Sequence, residues 1–407
     1  MKTLFHNAML VCPTGGVRSG DLLIDGEAIA AVGSFDAPSD AVRVDCGGKL
    51  LAPAIVDLGV FAIDKPAFAA GGIVRAALMP DQSPTLDDPG IVQRVTAIGK
   101  PELWVHPLAA ATRGLGGVDL AEIAILRDAG ARAVATGRHW IADSAVMRKV
   151  LAYAADCGLV VIAHAEDGGL TAGAVATEGE TATRLGLAAA PALAETLAVA
   201  RDLMLAEETR ARIHFRQVTT AASFDLIRTA KRRGVKVTCG ITPNHLLLSD
   251  IAMTDFRTFA HLSPPLRDES DRKAARAALA DGTIDVLTSG HDPRGPEEKR
   301  LPFADSEPGA AGAETLLALA LGLVRDEVLS LDCLFALLAS NPAQILGLAT
   351  GTLTPGAPAD LILIDRDAPW QIDADTMRAK AGNTPFDGLP VQGRVLRTLK
   401  GGVTIAF

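Results

Sequence analysis

Eight short apolar runs, most of them followed by a stretch of helical character, constrain this chain more than any other feature. They are "LLAPAIVDLGV", "GIVRAALMP", "ELWVHPLAA", "ARAVATG", "LVVIAHAED", "RIHFRQVTT", "VKVTCGIT" and "TIDVLTSGHD". Near-continuous apolar runs between helices describe parallel strands buried on both faces. The intervening segments include "DLAEIAILRDAG", "DSAVMRKVLAYAADCG" and "AASFDLIRTAKRRG". The last two open at a capping residue and end in glycine. Eight such units close into a (β/α)8 barrel of the TIM type, which places the chain in the α/β class. The barrel is expected over residues 53–345. Residues 1–52 and 346–407 have another rhythm, short β-like runs broken by glycine turns, as in "GDLLIDGEAIAAVG" and "GRVLRTLKGGVTIAF". They predict a small composite β-sandwich domain built from both chain ends.

The bulk numbers agree with a large core. The chain has 407 residues, 49% hydrophobic and 21% charged, with only 4% aromatic, so Ala, Val, Leu and Ile must do most of the packing. A net charge of -9 without a dense Lys/Arg block argues against nucleic acid or an anionic membrane as partner. Five scattered cysteines, with no C-x-x-C, predict reduced, buried thiols. No signal-peptide pattern opens the chain. The most apolar later stretch, "TLLALALGLV", has about half the length needed to cross a bilayer. A cytoplasmic location follows as an expectation.

Chemistry in such barrels sits at the C-terminal ends of the strands. The positions to read are therefore 57–63, 79–84, 106–113, 135–139, 164–167, 216–220, 241–245 and 288–294. No glycine-rich phosphate loop and no G-x-S-x-G nucleophile motif lies in the chain.

Several of these strand ends carry a family likeness. "AAGGIVRAALMPDQSPTLDD", "VIAHAEDGGL", "LGLAAAPALAETLAVARDLMLA", "GVKVTCGITPNHLLLSD", "HLSPPLRDESDR", "DGTIDVLTSGHDPRGPEEK", "NPAQILGL" and "NTPFDG" follow one another as they do in dihydroorotases. The chain resembles that branch of the amidohydrolase superfamily over nearly its whole length. The resemblance implies one or two zinc ions at the barrel mouth that activate water against a cyclic amide. It also implies ligands: a His-x-His after the first strand, a carboxylated Lys or an Asp after the fourth, one His each after the fifth and sixth, and an Asp after the eighth that doubles as the base.

This chain departs from that pattern at almost every position. Gly59 and Phe61 stand at the two histidines, Thr136 and Gly137 at the lysine or carboxylate, Gln217 at the sixth-strand histidine and Gly290 at the base. His164 alone keeps its ligand type. The substrate arginine position is Ile63, and much of the loop after it is missing. Asp81 replaces the asparagine of an M-P-N stretch, and "TPNH" puts Asn244 before His245 where two histidines would follow the proline. Gly and Phe offer no donor and an amide is a poor zinc ligand, so no metal, cofactor or catalytic residue is expected.

The remaining residues have plain expectations. His164 packs at a strand end, and Asp57 supports the first strand's turn. His291 and Asp292 point to opposite faces. Arg216 either fills the emptied mouth with a cationic group or faces the outer helices, and alternation favours the second because Gln217 points inward; "RDESDRKAAR" is a solvated helix start. The vestigial pocket comprises Asp57, Gly59, Phe61, Asp81, His164, Gln217, Asn244, Gly290 and His291. The resemblance includes non-catalytic homologues that assemble with aspartate transcarbamoylase in pyrimidine biosynthesis. It thereby implies a structural role here, in a homodimer or a hetero-oligomer with that enzyme. The alternatives are a cyclic-amide hydrolase with a rebuilt site around His164, His245, His291 and Asp292, and a small-molecule sensor using Asp81, Asn244 and His164.

Overall fold

The first apolar run divides at Ala54, and the two halves enter different sheets. In the computed structural model, which describes residues 2–13 and 15–405, Leu50–Pro53 joins a sheet made from both chain ends and Ile55–Val60 opens the barrel. In chain order the strands are β1 (Lys2–Cys12), β2 (Gly16–Asp25), β3 (Ala28–Gly33), β4 (Val42–Asp45) and β5 (Leu50–Pro53), then β6 (Ile55–Val60), β7 (Ile73–Leu78), β8 (Trp104–Ala110), β9 (Ala133–Ala135) and β10 (Val160–Ala163). A two-stranded pair follows, β11 (Ala176–Thr177) and β12 (Ala189–Ala190). The barrel resumes with β13 (Arg212–Phe215), β14 (Val237–Ile241) and β15 (Val286–Leu287), and the chain ends in β16 (Leu361–Gln371), β17 (Pro390–Lys400) and β18 (Val403–Ile405).

The terminal sheet runs β18-β17-β16-β5-β1-β2-β3, with β4 beside β1. β5 lies between β1 from the N-terminal end and β16 from the C-terminal end, so it joins the two halves. Phe5, Leu10, Leu22, Ile24, Leu51 and Leu361 fill one core against it.

The second sheet has eight strands, in order β15-β14-β13-β10-β9-β8-β7-β6, and every pairing in it is parallel. The two ends of this order, β6 and β15, are stitched by side chain and backbone. Asp57 on β6 accepts from Thr288 Oγ1 at 2.6 Å, from the Ser289 amide at 3.0 Å and from Ser289 Oγ. The Phe61 amide donates to His291 O at 2.9 Å. Inside the barrel Val56, Leu58, Ala77, Met79, Leu108, Ala133, Ala135, Val160 and Ile162 pack together. The alanines leave room for the larger side chains opposite them. A wider core of Leu, Val, Ala and Phe lies between strands and helices.

The helices start where short polar side chains supply acceptors. Asp143 caps Ser144–Asp156, Thr220 caps Ala221–Arg232 and Asp268 caps Glu269–Ala280. The first two give way to Gly158 and Gly234, both at positive φ. "DLAEIAILRDAG" is helical only over Ile123–Asp128. Its first residues bond back to the preceding loop instead, through Asp119 O to the Arg113 amide and the Ala121 amide to Ala111 O. The thiols also differ from expectation: Cys46 and Cys239 are buried, Cys12 and Cys157 half-buried and Cys333 exposed, all free. Among the described residues no helix is long and apolar enough to cross a membrane.

Candidate functional site at the barrel mouth

The site begins with a break in β6. The register shifts between Leu58 and Val60, and Gly59 sits there at φ +104°, a conformation that a residue with a Cβ rarely adopts. This bulge turns Phe61 into the barrel, where it joins Met79, Leu58 and Ile162. A Cβ added to Gly59 would meet Arg216 Cγ and Cδ at 3.5 Å and Met79 Sδ at 3.7 Å. The space that glycine leaves is therefore filled by the stem of an arginine.

That placement corrects the outward reading of Arg216. β13 ends at Phe215, so strand alternation no longer governs the next residues. Arg216 and Gln217 both line the mouth cavity. Arg216 is 4% exposed. Its Nη2 donates to His164 Nδ1 at 3.1 Å, and its guanidinium lies 5.1 Å from the centre of the Phe61 ring. Arg138, in the loop after β9, lies over the same ring at 3.7 Å and pairs with Asp292 at 2.7 Å. Burial brings the Arg216 pKa down to about 10, Arg138 adding to the effect, so the group stays charged at neutral pH.

His164 is buried at the end of β10 and sits at the centre of this arrangement. Its Nδ1 accepts from Arg216 and its Nε2 lies 3.4 Å from Glu166 Oε2. Those partners assign the proton to Nε2. Burial lowers the imidazole pKa and keeps it neutral. Burial works against the Glu166 carboxylate, yet His164 and Arg267 together hold its pKa below the ordinary range. Arg267 is 4% exposed, which corrects the reading of "RDESDR" as fully solvated. It donates to Glu166 Oε1 at 3.0 Å, Thr219 Oγ1 at 2.9 Å and Thr177 Oγ1 at 2.9 Å. Glu195, wholly buried, accepts from the amides of Thr219 and Thr220 and braces the end of β13.

The other positions are spent on structure. Thr136 Oγ1 accepts from the His164 amide at 2.9 Å and ties β9 to β10. Gly137, at φ +77°, lies so close to Asp81 that a Cβ would meet its Oδ1 at 2.7 Å, and Asp81 accepts from the Arg138 amide at 2.8 Å. Gln217 Nε2 donates to His245 Nδ1 at 2.7 Å, while His245 Nε2 donates to Pro264 O at 3.0 Å. Burial takes His245 down to about 4. A Cβ on Gly290, at φ +57°, would meet Thr242 Cγ2 at 2.8 Å. His291 turns away from the cavity, toward Asp64 at 3.5 Å and the edge of Phe68, whereas Asp292 lines it. Asp57 lies behind the cavity in the seam. Asn244 and Phe61 are in the lining.

The cavity left between these groups is about 30 Å³. Among the described residues, no group of three or more His, Cys, Asp or Glu side chains is placed to hold a metal ion. The imidazole lone pair that would bind one is taken by a guanidinium, whose charge repels a divalent cation. The residues present do not fit zinc.

A family model for the amidohydrolase family matches residues 118–405. The chain belongs to the amidohydrolase family. It is 38% identical over 421 aligned residues to the dihydroorotase of Geobacter metallireducens, covering 100% of this chain and 99% of the relative. It is 39% identical to a dihydroorotase-like protein of Pseudomonas aeruginosa, with 99% of each covered. Among solved structures, the L-hydantoinase (dihydropyrimidinase) of Arthrobacter aurescens superposes with a TM-score of 0.89 at 25% identity, covering 99% of this chain and 96% of that one. The dihydropyrimidinase of Brevibacillus agri shares the fold at a TM-score of 0.86 and 22% identity, covering 100% and 95%. This amidohydrolase-family chain is thus dihydroorotase-like in sequence, on the barrel that hydantoinases share.

Arg138 and the Glu166–Arg267–Glu195 cluster were not singled out as site residues from sequence, and Arg216 was weighed as a cationic filler of the mouth but read as outward. For Arg216 the only available signal was that the residue follows the end of an apolar run, where facing is no longer set by alternation.

Proposed function

We propose that this chain is a dihydroorotase-type protein of pyrimidine biosynthesis that does not hydrolyse amides and serves as a structural partner of aspartate transcarbamoylase. One observation carries the reading: Arg216 lays its stem beside Gly59 and its guanidinium against His164, in the space that metal chemistry would need. Water activation at neutral pH needs a cation to lower the water's pKa or a base near the substrate. The mouth offers a neutral imidazole already hydrogen-bonded on Nδ1, a glycine at 290 and a carboxylate, Asp292, bound to two arginines. Restoring the family's side chains at 59, 137 or 290 would meet Arg216, Asp81 or Thr242. The neighbourhood has repacked around the small residues, which supports a settled arrangement. Persistence of the whole barrel and terminal sheet supports selection for a surface, since an interface needs the scaffold and not the pocket.

The test is reconstitution. The purified chain is assayed for dihydroorotate and carbamoyl-aspartate turnover with and without added zinc, then mixed with aspartate transcarbamoylase on a sizing column. The reading expects no turnover and co-elution. Zinc-dependent turnover would instead make the chain a cyclic-amide hydrolase, and failure to co-elute would remove the partner.

A further inference from the structure

The cavity at the mouth holds an imbalance of charge. Three charged side chains line it: Arg138, Arg216 and Asp292. Asp292 pairs with Arg138 at 2.7 Å, and also with Arg294 at 3.2 Å. His245, also in the lining, is neutral. Arg216 has no carboxylate within 4.0 Å among the described residues. Among the described residues its guanidinium makes one hydrogen bond, to a neutral imidazole, and its buried Nε has no partner. A guanidinium 4% exposed with that inventory is rare, because burying a charge is costly unless it is paired.

The remaining lining offers donors that nothing else uses. Asn244 is buried and its side chain makes no hydrogen bond among the described residues. Ser263, an exposed residue, also lines this cavity. At about 30 Å³, the space exceeds the roughly 10–15 Å³ that one water needs and falls far short of a ring-sized substrate.

Resting on the reading of a non-hydrolytic mouth, we propose that this cavity is a binding site for a small planar oxyanion, a carboxylate or bicarbonate group of three or four heavy atoms, held by Arg216 with Asn244 and Ser263. The fork of a guanidinium matches such a group in two parallel hydrogen bonds, and an amide and a hydroxyl complete the shell. The bound anion would bridge the ends of β13 and β14, and through the Phe61 ring that of β6. It turns the emptied catalytic mouth into a ligand-sensitive clamp.

The experiment uses sodium formate as probe. Thermal unfolding of the full chain in an amine buffer is followed against formate, with sodium chloride at matched ionic strength as control. The expected result is a rise that grows with the logarithm of formate concentration above the Kd and reaches about 3 °C at roughly 100 times the Kd, lost in Arg216→Met. Asn244→Ala should weaken binding about ten-fold. It serves as the second variant should Arg216→Met not fold, and carbon-13 line broadening of labelled formate reads occupancy directly. An equal response to chloride, or a formate response retained in Arg216→Met, would overturn the site. Zinc content measured on the same sample keeps the outcomes apart: a zinc-free chain without a formate response loses the anion site alone, and a zinc-loaded chain loses the non-hydrolytic reading.

Discussion

Replacing Arg216 by Met should stabilise the protein in a buffer free of carboxylates and oxyanions. The Met stem keeps the packing that Arg216 Cγ and Cδ make beside Gly59, so little volume is lost. Burial brings the guanidinium pKa from the ordinary arginine range down to about 10, which corresponds to about 3 kcal/mol disfavouring the charged form. Against that, the variant gives up a hydrogen bond from a charged donor to His164, about 1.5 kcal/mol, and the contact with the Phe61 ring, about 0.5 kcal/mol at this distance. The balance is a gain of about 1 kcal/mol, or about 1–2 °C in Tm for a chain of this size. Differential scanning calorimetry of the two proteins side by side decides it. A fall of about 3 °C or more would mean that the guanidinium is an integral partner of the mouth and not an uncompensated charge, and the reasoning from burial would be wrong.

Three further outcomes follow from other parts of the site. Arg267→Ala strands Glu166 and Glu195 as buried carboxylates and should cost about 3–5 kcal/mol in urea unfolding; a loss under about 1 kcal/mol would demote the cluster to a surface-like pair. Asp57→Ala leaves Thr288, Ser289 and the Ser289 amide without their acceptor across the barrel seam, costing about 2–4 kcal/mol, and hydrogen exchange should rise first in β6 and β15. Acid should weaken the fold early. Burial holds His106 and His214 at about 3 and His245 and His261 at about 4. The unfolded chain takes up those protons first, so their contribution is intact above about pH 6.5 and is lost as pH falls toward 4, by up to about 1.4 kcal/mol per pH unit for each. Asp202, raised to about 6 by burial, runs the other way and offsets one of the four between pH 6 and 4. A Tm flat between pH 7 and 4.5 would contradict this.

Where the chain was legible, a repeated physical cause stood behind each element. Each of the eight apolar runs holds one barrel strand, because a parallel strand covered on both faces has almost no other composition. Asp143 announced its helix because a helix start must satisfy free amides. Gly59, Phe61, Gln217 and Gly290 were legible as strand-end positions of the mouth, but not as an arrangement. Two facts about backbone hid it. The bulge at Gly59 changes the phase of β6, and the early end of β13 frees Arg216 from alternation. "RDESDR" misled in the same way: Asp268 and Ser270 are exposed as a wet helix start requires, yet Arg267 lies one residue before the cap, where the chain still points inward. Side-chain direction at strand ends and caps is set by tertiary packing, which local composition does not encode.

The account turns on whether the mouth can bind a divalent cation at all. Metal analysis of the chain, expressed in zinc-supplemented medium and purified without chelator, addresses that directly. The account predicts zinc far below one equivalent per chain, unchanged in a His164→Ala variant. One equivalent of zinc that disappears with His164 would contradict it.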